Sequence, residues 1–213
     1  FQTISERLRE DAFLLKGMTI ELIDERTDKD ETYQYEKGLE EFIDWINNDK
    51  EAVSPIISFD DTNNEIEVEI AMQFTQSYQE NIISFVNLVR TGDGGTHEVG
   101  FRSGLTKVFN EYARKYALLK AKDKNLEGSD VREGLSAVVS VRIPEELLQF
   151  EGQTKGKLGT PQARVAVENI VTEQIRTFLE ENKSIATEII NKSLRSKVAR
   201  EAARKAREEA RKG

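Results

Sequence analysis

The chain has 213 residues, with 31 Lys and Arg against 39 Asp and Glu, one histidine and no cysteine, for a net charge of −8. These counts exclude a disulfide scaffold and thiolate catalysis, and one histidine leaves little to build a zinc site from. No run of about 18 apolar residues is present to span a membrane and no targeting signal is visible, so a cytoplasmic, reducing compartment fits.

Ser5 is placed to cap a short helix that runs to Leu15 and is stopped by Gly17. Residues 18–26 and 32–36 alternate apolar with polar side chains across a charged turn, which reads as a hairpin. Gly38 opens a second helix whose Leu39, Phe42, Ile43 and Ile46 share one face. After Pro55, Ile66, Val68, Ile70 and Met72 alternate with Glu67 and Glu69, the pattern of a half-exposed antiparallel strand. Residues 81–90 are apolar on both faces, which predicts a central strand.

Gly94 and Gly95 precede a long helix with Thr96 as its N-cap and an apolar stripe of Phe101, Leu105, Val108, Phe109, Tyr112 and Tyr116. A buried strand over residues 135–143 stops at Pro144. A glycine-punctuated loop, residues 151–159, then leads to Thr160-Pro161, an N-cap with proline in the first helical position. The helix after it carries Val167, Ile170, Val171, Ile175, Phe178 and Leu179 on one face. The chain opens on Phe rather than Met and its last helix stops in mid-pattern, so it reads as an internal piece of a longer protein.

That last helix is basic: residues 189–213 hold nine basic and three acidic side chains, so the rest of the chain is more acidic than the total suggests. A local basic stripe can meet phosphates even on an acidic body. Glu201 with Lys205 and Glu208 with Lys212 stand at i,i+4, so a solvated helix stabilised by its own ion pairs explains the same pattern.

Most candidate chemistry fails on spacing. Gly92-Asp93-Gly94-Gly95 lacks the third glycine and downstream acid of a dinucleotide fingerprint, and Gly152 to Lys157 has one residue too few for a Walker A loop. Asp28 with Asp30, and Asp60 with Asp61, read as solvated turn residues rather than magnesium ligands. His97 beside Glu98 reads as a structural first-turn histidine, and Trp45 as core. Lys155, between glycines and close before a helix, is suited to reaching a phosphate that another element holds, or is simply solvated.

Four strings taken together resemble the B subunit of bacterial type IIA DNA topoisomerases: Gln79-Glu80-Asn81-Ile82, Asp93-Gly94-Gly95-Thr96-His97 followed by Gly100-Phe101, Arg132-Glu133-Gly134-Leu135, and Gln153-Thr154-Lys155 followed by Lys157-Leu158. The segments 123–130 and 144–152 look more like the topoisomerase IV branch of a Gram-positive bacterium than the gyrase branch. The resemblance implies an α+β fold in three parts. Residues 1–37 would end a GHKL-type ATPase domain, 38–185 would form a transducer of the ribosomal protein S5 domain 2-like fold, and 186–213 a basic helix leading toward a Toprim domain.

It also implies that Lys155 reaches the γ-phosphate of ATP bound in the neighbouring domain, with Gln153 as its companion. Arg195, Arg200, Arg204 and Arg207 become candidate contacts to double-stranded DNA. Further partners would be the A subunit in a heterotetramer and a second B subunit on ATP-driven dimerisation. Magnesium would be held by residues upstream of Phe1, with no ligand in this chain. An ATP-coupling lever, a DNA-contacting wall and an interdomain scaffold are the three roles left open, and the chain alone is expected to be inactive.

Overall fold

The computed structural model describes residues 2–212; Phe1, the start of the first predicted unit, and Gly213, the end of the last, lie outside the described residues. Helix α1 (Gln2–Leu14) leads into the antiparallel hairpin of β1 (Thr19–Asp24) and β2 (Lys29–Gln34). Ser5 does not cap α1. It lies inside the helix, and its buried hydroxyl meets Glu31 and Tyr33 of β2. Helix α2 (Leu39–Ile46) starts at Gly38 and buries Leu39, Phe42 and Ile43, as its spacing predicts. Trp45 is not core: it is 47% exposed, with the Arg9 guanidinium 5.1 Å from its ring centre.

Five strands form the main sheet: β3 (Ile57–Asn63), β4 (Ile66–Phe74), β5 (Asn81–Val86), β6 (Val89–Arg90) and β7 (Leu135–Arg142). Their order is β3-β4-β7-β5-β6, with β5 parallel to β7 and every other neighbour antiparallel. Parallel neighbours require a crossover, here supplied through α3 (Thr96–Lys115) and α4 (Gly128–Arg132). The fold is α+β.

The central strand is β7. Residues 81–90 do not form one strand, because Asn87 and Leu88 both take positive φ and fold the run into a tight turn, which leaves β6 at the sheet edge. The Asn87 amide holds that turn by donating to the Ile143 carbonyl at 3.1 Å and accepting the Ile143 N–H at 2.8 Å.

One sheet face carries Ile66, Val68, Ile70, Met72, Leu135, Ala137, Val139 and Val141 into the main core. This core is closed by α3 and by α5 (Pro161–Glu181). The two helices approach closely at Gly100, where a Cβ would stand 2.4 Å from the Arg164 carbonyl oxygen; only glycine fits. On the other face Ala71, Phe85 and Val138 pack under α1 and α2 against Phe13 and Phe42, whose rings stack 4.5 Å apart. Beyond that cover the face is polar. Asp60 sits there and Asp61 on the opposite face, both on β3 rather than in a turn, and both line a cavity of about 470 Å³ with Glu67, Glu69 and Arg142. Burial, and then the Asp60 charge, push the Glu69 carboxyl above its usual range.

Helix α6 (Lys183–Lys212) follows α5 after Asn182, which caps α5 through its amide on the Phe178 carbonyl. No helix among the described residues is long and apolar enough to cross a membrane.

Candidate functional site

The glycine-punctuated segment forms a small ribbon, β8 (Phe150–Glu151) paired with β9 (Lys157–Leu158), and residues 152–156 make its tip. Its base is fixed by Thr160, whose hydroxyl donates to the Leu147 carbonyl and accepts the Gln149 N–H, both at 2.9 Å. That hydroxyl is thus spent on the ribbon rather than on capping α5, although Thr160 still occupies the N-cap position with Pro161 after it.

The ribbon leans on the turn before α3. The Asp93 N–H donates to the Gly156 carbonyl at 2.9 Å, and the Leu158 N–H donates to the Gly94 carbonyl at 3.0 Å. The approach is too close for any side chain at Gly95, where φ is 137° and a Cβ would meet the Leu158 carbonyl oxygen at 2.4 Å. The long helix therefore takes Gly95 as its N-cap. Thr96 becomes the first helical residue instead, and its hydroxyl has no partner.

On this support Gln153, Thr154 and Lys155 are exposed. Lys155 takes the left-handed conformation, φ 55°, a strained state for a residue with a Cβ that the flanking hydrogen bonds hold in place. The two lysines of the loop differ. Lys157 pairs with Glu151 of its own ribbon at 3.2 Å. Beside the tip lies an open cavity of about 520 Å³, lined by Arg90, Gly92 to Gly95, Arg102 and Lys157. Arg90 and Arg102 carry no motif; the only sequence signal was Glu98 and Arg102 at i,i+4, which pair at 3.3 Å.

The four candidate arginines of α6 divide. Arg195 and Arg207 are exposed, and Arg204 makes only a loose 3.8 Å pair with Glu208. Arg200 is not free to meet DNA. Its guanidinium is bound two-pronged to Asp130 of α4, Nε at 3.1 Å and Nη2 at 3.0 Å, and that carboxylate is 1% exposed. Lys192 is buried too, donating to the Ser77 carbonyl at 3.1 Å and pairing with Glu133 at 3.4 Å. The i,i+4 pairs that form are Lys197 with Glu201 and Arg204 with Glu208, opposite in sense to those predicted.

His97 is structural, as its position implied. Burial pushes its pKa down to about 4, and its Nε2 sits 2.9 Å from the Thr91 hydroxyl. Among the described residues no group of three or more His, Cys, Asp or Glu could hold a metal ion.

A mixed five-stranded sheet, closed on one side by two long helices and bearing a lysine-tipped ribbon docked on a diglycine turn, makes an α+β fold that resembles part of a solved gyrase B ATPase domain. Residues 38–209 match the family DNA gyrase B, and the chain belongs to that family. The resemblance read from the four strings is thereby borne out.

Among curated relatives, the chain is 63% identical over 213 residues to the B subunit of DNA topoisomerase 4 from Bacillus subtilis, covering 100% of the chain and 32% of the relative. The same-named protein of Enterococcus faecalis is 56% identical over 203 residues, 94% of the chain and 30% of the relative. The chain thus spans about a third of the curated relatives it matches. Of solved structures, the 43K ATPase domain of Thermus thermophilus gyrase B, in complex with an aminocoumarin, superposes with a TM-score of 0.87 at 39% identity, over 97% of this chain and 56% of that one. The topoisomerase IV ATP binding domain of Francisella tularensis gives 0.79 at 26%, over 95% and 54%.

Proposed function

We propose that this chain is the transducer part of the ATPase subunit of a topoisomerase IV-like type IIA DNA topoisomerase, coupling ATP binding and hydrolysis to DNA gate movement and strand passage. Residues 1–37 would then close a GHKL ATPase domain, 38–185 form the transducer, and 186–213 lead toward the Toprim domain. The branch is favoured by relatives named as B subunits of DNA topoisomerase 4 at 54% to 63% identity. ATP would be held mainly by the neighbouring domain, with Mg²⁺ ligands outside this chain. The partners would be double-stranded DNA, the A subunit in a heterotetramer and a second B subunit, in the bacterial cytoplasm.

One observation carries the reading: Lys155 is held exposed at the tip of a ribbon tethered on both sides, while its neighbour Lys157 is paired. Phosphoryl transfer needs fixed positive charge where negative charge spreads over the γ-phosphoryl oxygens. A lysine delivered by a second domain makes hydrolysis depend on the angle between domains, and loss of the γ-phosphate releases that angle. Gln153, two residues away on the same tip, is the companion donor.

The test is Lys155→Ala in the full-length protein. ATP hydrolysis should fall at least about a hundredfold, the scale for removing a positioned donor from a developing anion. Nucleotide affinity should fall much less, and Lys157→Ala should be far milder. Equal, small losses for both would reduce the loop to a surface connection.

A DNA-contacting role is a second reading, favoured by the exposed Arg195, Arg204 and Arg207. A scaffold without catalytic contribution would leave hydrolysis untouched by any of these substitutions.

A further inference from the structure

Beneath the diglycine turn lies a polar cluster that hydrolysis itself does not call upon. Ser84 on β5, Thr91, and His97 and Glu98 on the first turn of α3 are all buried, with Thr91 and Glu98 at the wall of the cavity beside the ribbon. The Ser84 hydroxyl donates to the Glu98 carboxylate at 2.5 Å. With its proton used, Ser84 can only accept from the Thr91 hydroxyl, 2.7 Å away. Thr91, its own proton spent, must accept from the His97 Nε2 at 2.9 Å. The three bonds therefore run one way, from His97 through Thr91 and Ser84 to Glu98. This order requires the proton on Nε2 and leaves Nδ1 a bare acceptor, and Nδ1 is the ring nitrogen with no partner.

Thr91 is also where the turn closes. Its N–H donates to the Ser84 carbonyl at 2.9 Å and its carbonyl accepts the Gly94 N–H at 3.0 Å. The next residues, Asp93 and Gly94, supply the two backbone groups on which the lysine ribbon rests, one of them on Gly156, adjacent to Lys155.

We propose that the directed chain His97–Thr91–Ser84–Glu98 is the positioning device for the lysine loop: it fixes the turn that carries Gly156 and Leu158, and so sets where Lys155 can reach. The proposal rests on the reading of Lys155 given above. None of the four lies on the lysine ribbon, and they act through the turn as positioning residues. A chain of hydroxyls with every proton assigned resists reorientation more than isolated bonds do. A displacement on the order of 1 Å at a reacting group costs as much as a hundredfold in rate.

The experiment places Thr91→Val and Thr91→Ser in the full-length protein, each with Lys155 present and with Lys155→Ala. Thr91→Val should lower ATP turnover about tenfold while the KM for ATP stays within about twofold, and Thr91→Ser should restore the rate. With Lys155 already removed, Thr91→Val should cause little further loss, because the displaced group is gone. The same loss in both backgrounds, a raised KM with unchanged turnover, or no loss at all would overturn the proposal. If Lys155→Ala alone leaves hydrolysis intact, the reading of Lys155 fails instead, a separate outcome.

The chain's direction has its own readout that survives poor folding of Thr91→Val. His97 is the single histidine, so its ring ¹⁵N shifts in the wild-type chain are unambiguous. They should report the Nε2–H tautomer, and an Nδ1–H tautomer would break the chain at its first bond.

Discussion

Basic side chains concentrate in the ribbon loop and in helix α6, and the two regions use them differently. In the loop the partnered cation, Lys157, folds back on Glu151, while Lys155 is presented at the tip. In α6 the division runs by helix face up to Arg200, where Arg195 is exposed, and by length beyond it. Lys192, Lys197 and Arg200 are turned into the body, and Arg204 and Arg207 lie beyond the last buried turn. A cation's availability to a ligand is set by what the fold places opposite it. An acid or a carbonyl at hydrogen-bond distance makes it part of the structure; solvent leaves it for phosphate.

The largest way to break this comparison is at Arg200. Arg200→Ala removes the charged partner of the buried Asp130 carboxylate, which keeps the Glu127 N–H, and should destabilise the chain by about 2 to 3 kcal/mol in denaturant melts, toward the scale for breaking a buried pair. A loss below about 0.5 kcal/mol would return Arg200 to the exposed, phosphate-available class. Nearly as large is the effect of His97 beneath the loop. Its pKa of about 4 lies below the ordinary 6.5, so the unfolded chain takes up a proton that the folded chain refuses. No penalty exists above pH 6.5, and stability should fall by about 2 to 3 kcal/mol as pH drops from 6.5 to 4. His97→Gln should flatten that part of the pH–stability curve, and an unchanged slope would count against a neutral, buried ring.

A smaller effect concerns the exposed arginines of α6. Replacing Arg195, Arg204 and Arg207 together by alanine should flatten the salt dependence of DNA binding by up to about one log unit per lost phosphate contact. Stability should stay within about 0.5 kcal/mol. An unchanged salt slope would leave these arginines as solvated side chains. Smallest of all, Lys157→Ala removes only an exposed ion pair and should shift stability by less than about 1 kcal/mol in the same melts.

Much of this architecture is legible in the chain itself. The hairpin, the apolar face of α2, the alternation of β4 and the Thr160-Pro161 start of α5 follow from periodicity and cap chemistry, which are local. What stayed hidden depends on distant partners. The apolar run of 81–90 gives no sign of a turn, because Leu88 at φ 69° is tolerated only where Asn87 is pinned to the end of β7. Trp45 has the spacing of a core residue, yet it lies at the margin of the small cluster under α1 and is left half open. Arg200 is indistinguishable by sequence from Arg204; Asp130, seventy positions earlier, makes the difference. In the candidate site, family motifs picked out the lysine loop and the diglycine turn separately, whereas the hydrogen bonds that join them came only from the structure.

The central claim is that Lys155, alone among the loop's cations, reads the γ-phosphate. The direct measurement is calorimetry on the full-length protein, comparing binding of a non-hydrolysable triphosphate analogue with binding of the diphosphate. Wild type should prefer the triphosphate, Lys155→Ala should lose that preference by about tenfold or more, the worth of a charge-assisted hydrogen bond, and Lys157→Ala should keep it. A preference unchanged in Lys155→Ala, or lost equally in both variants, would contradict the account.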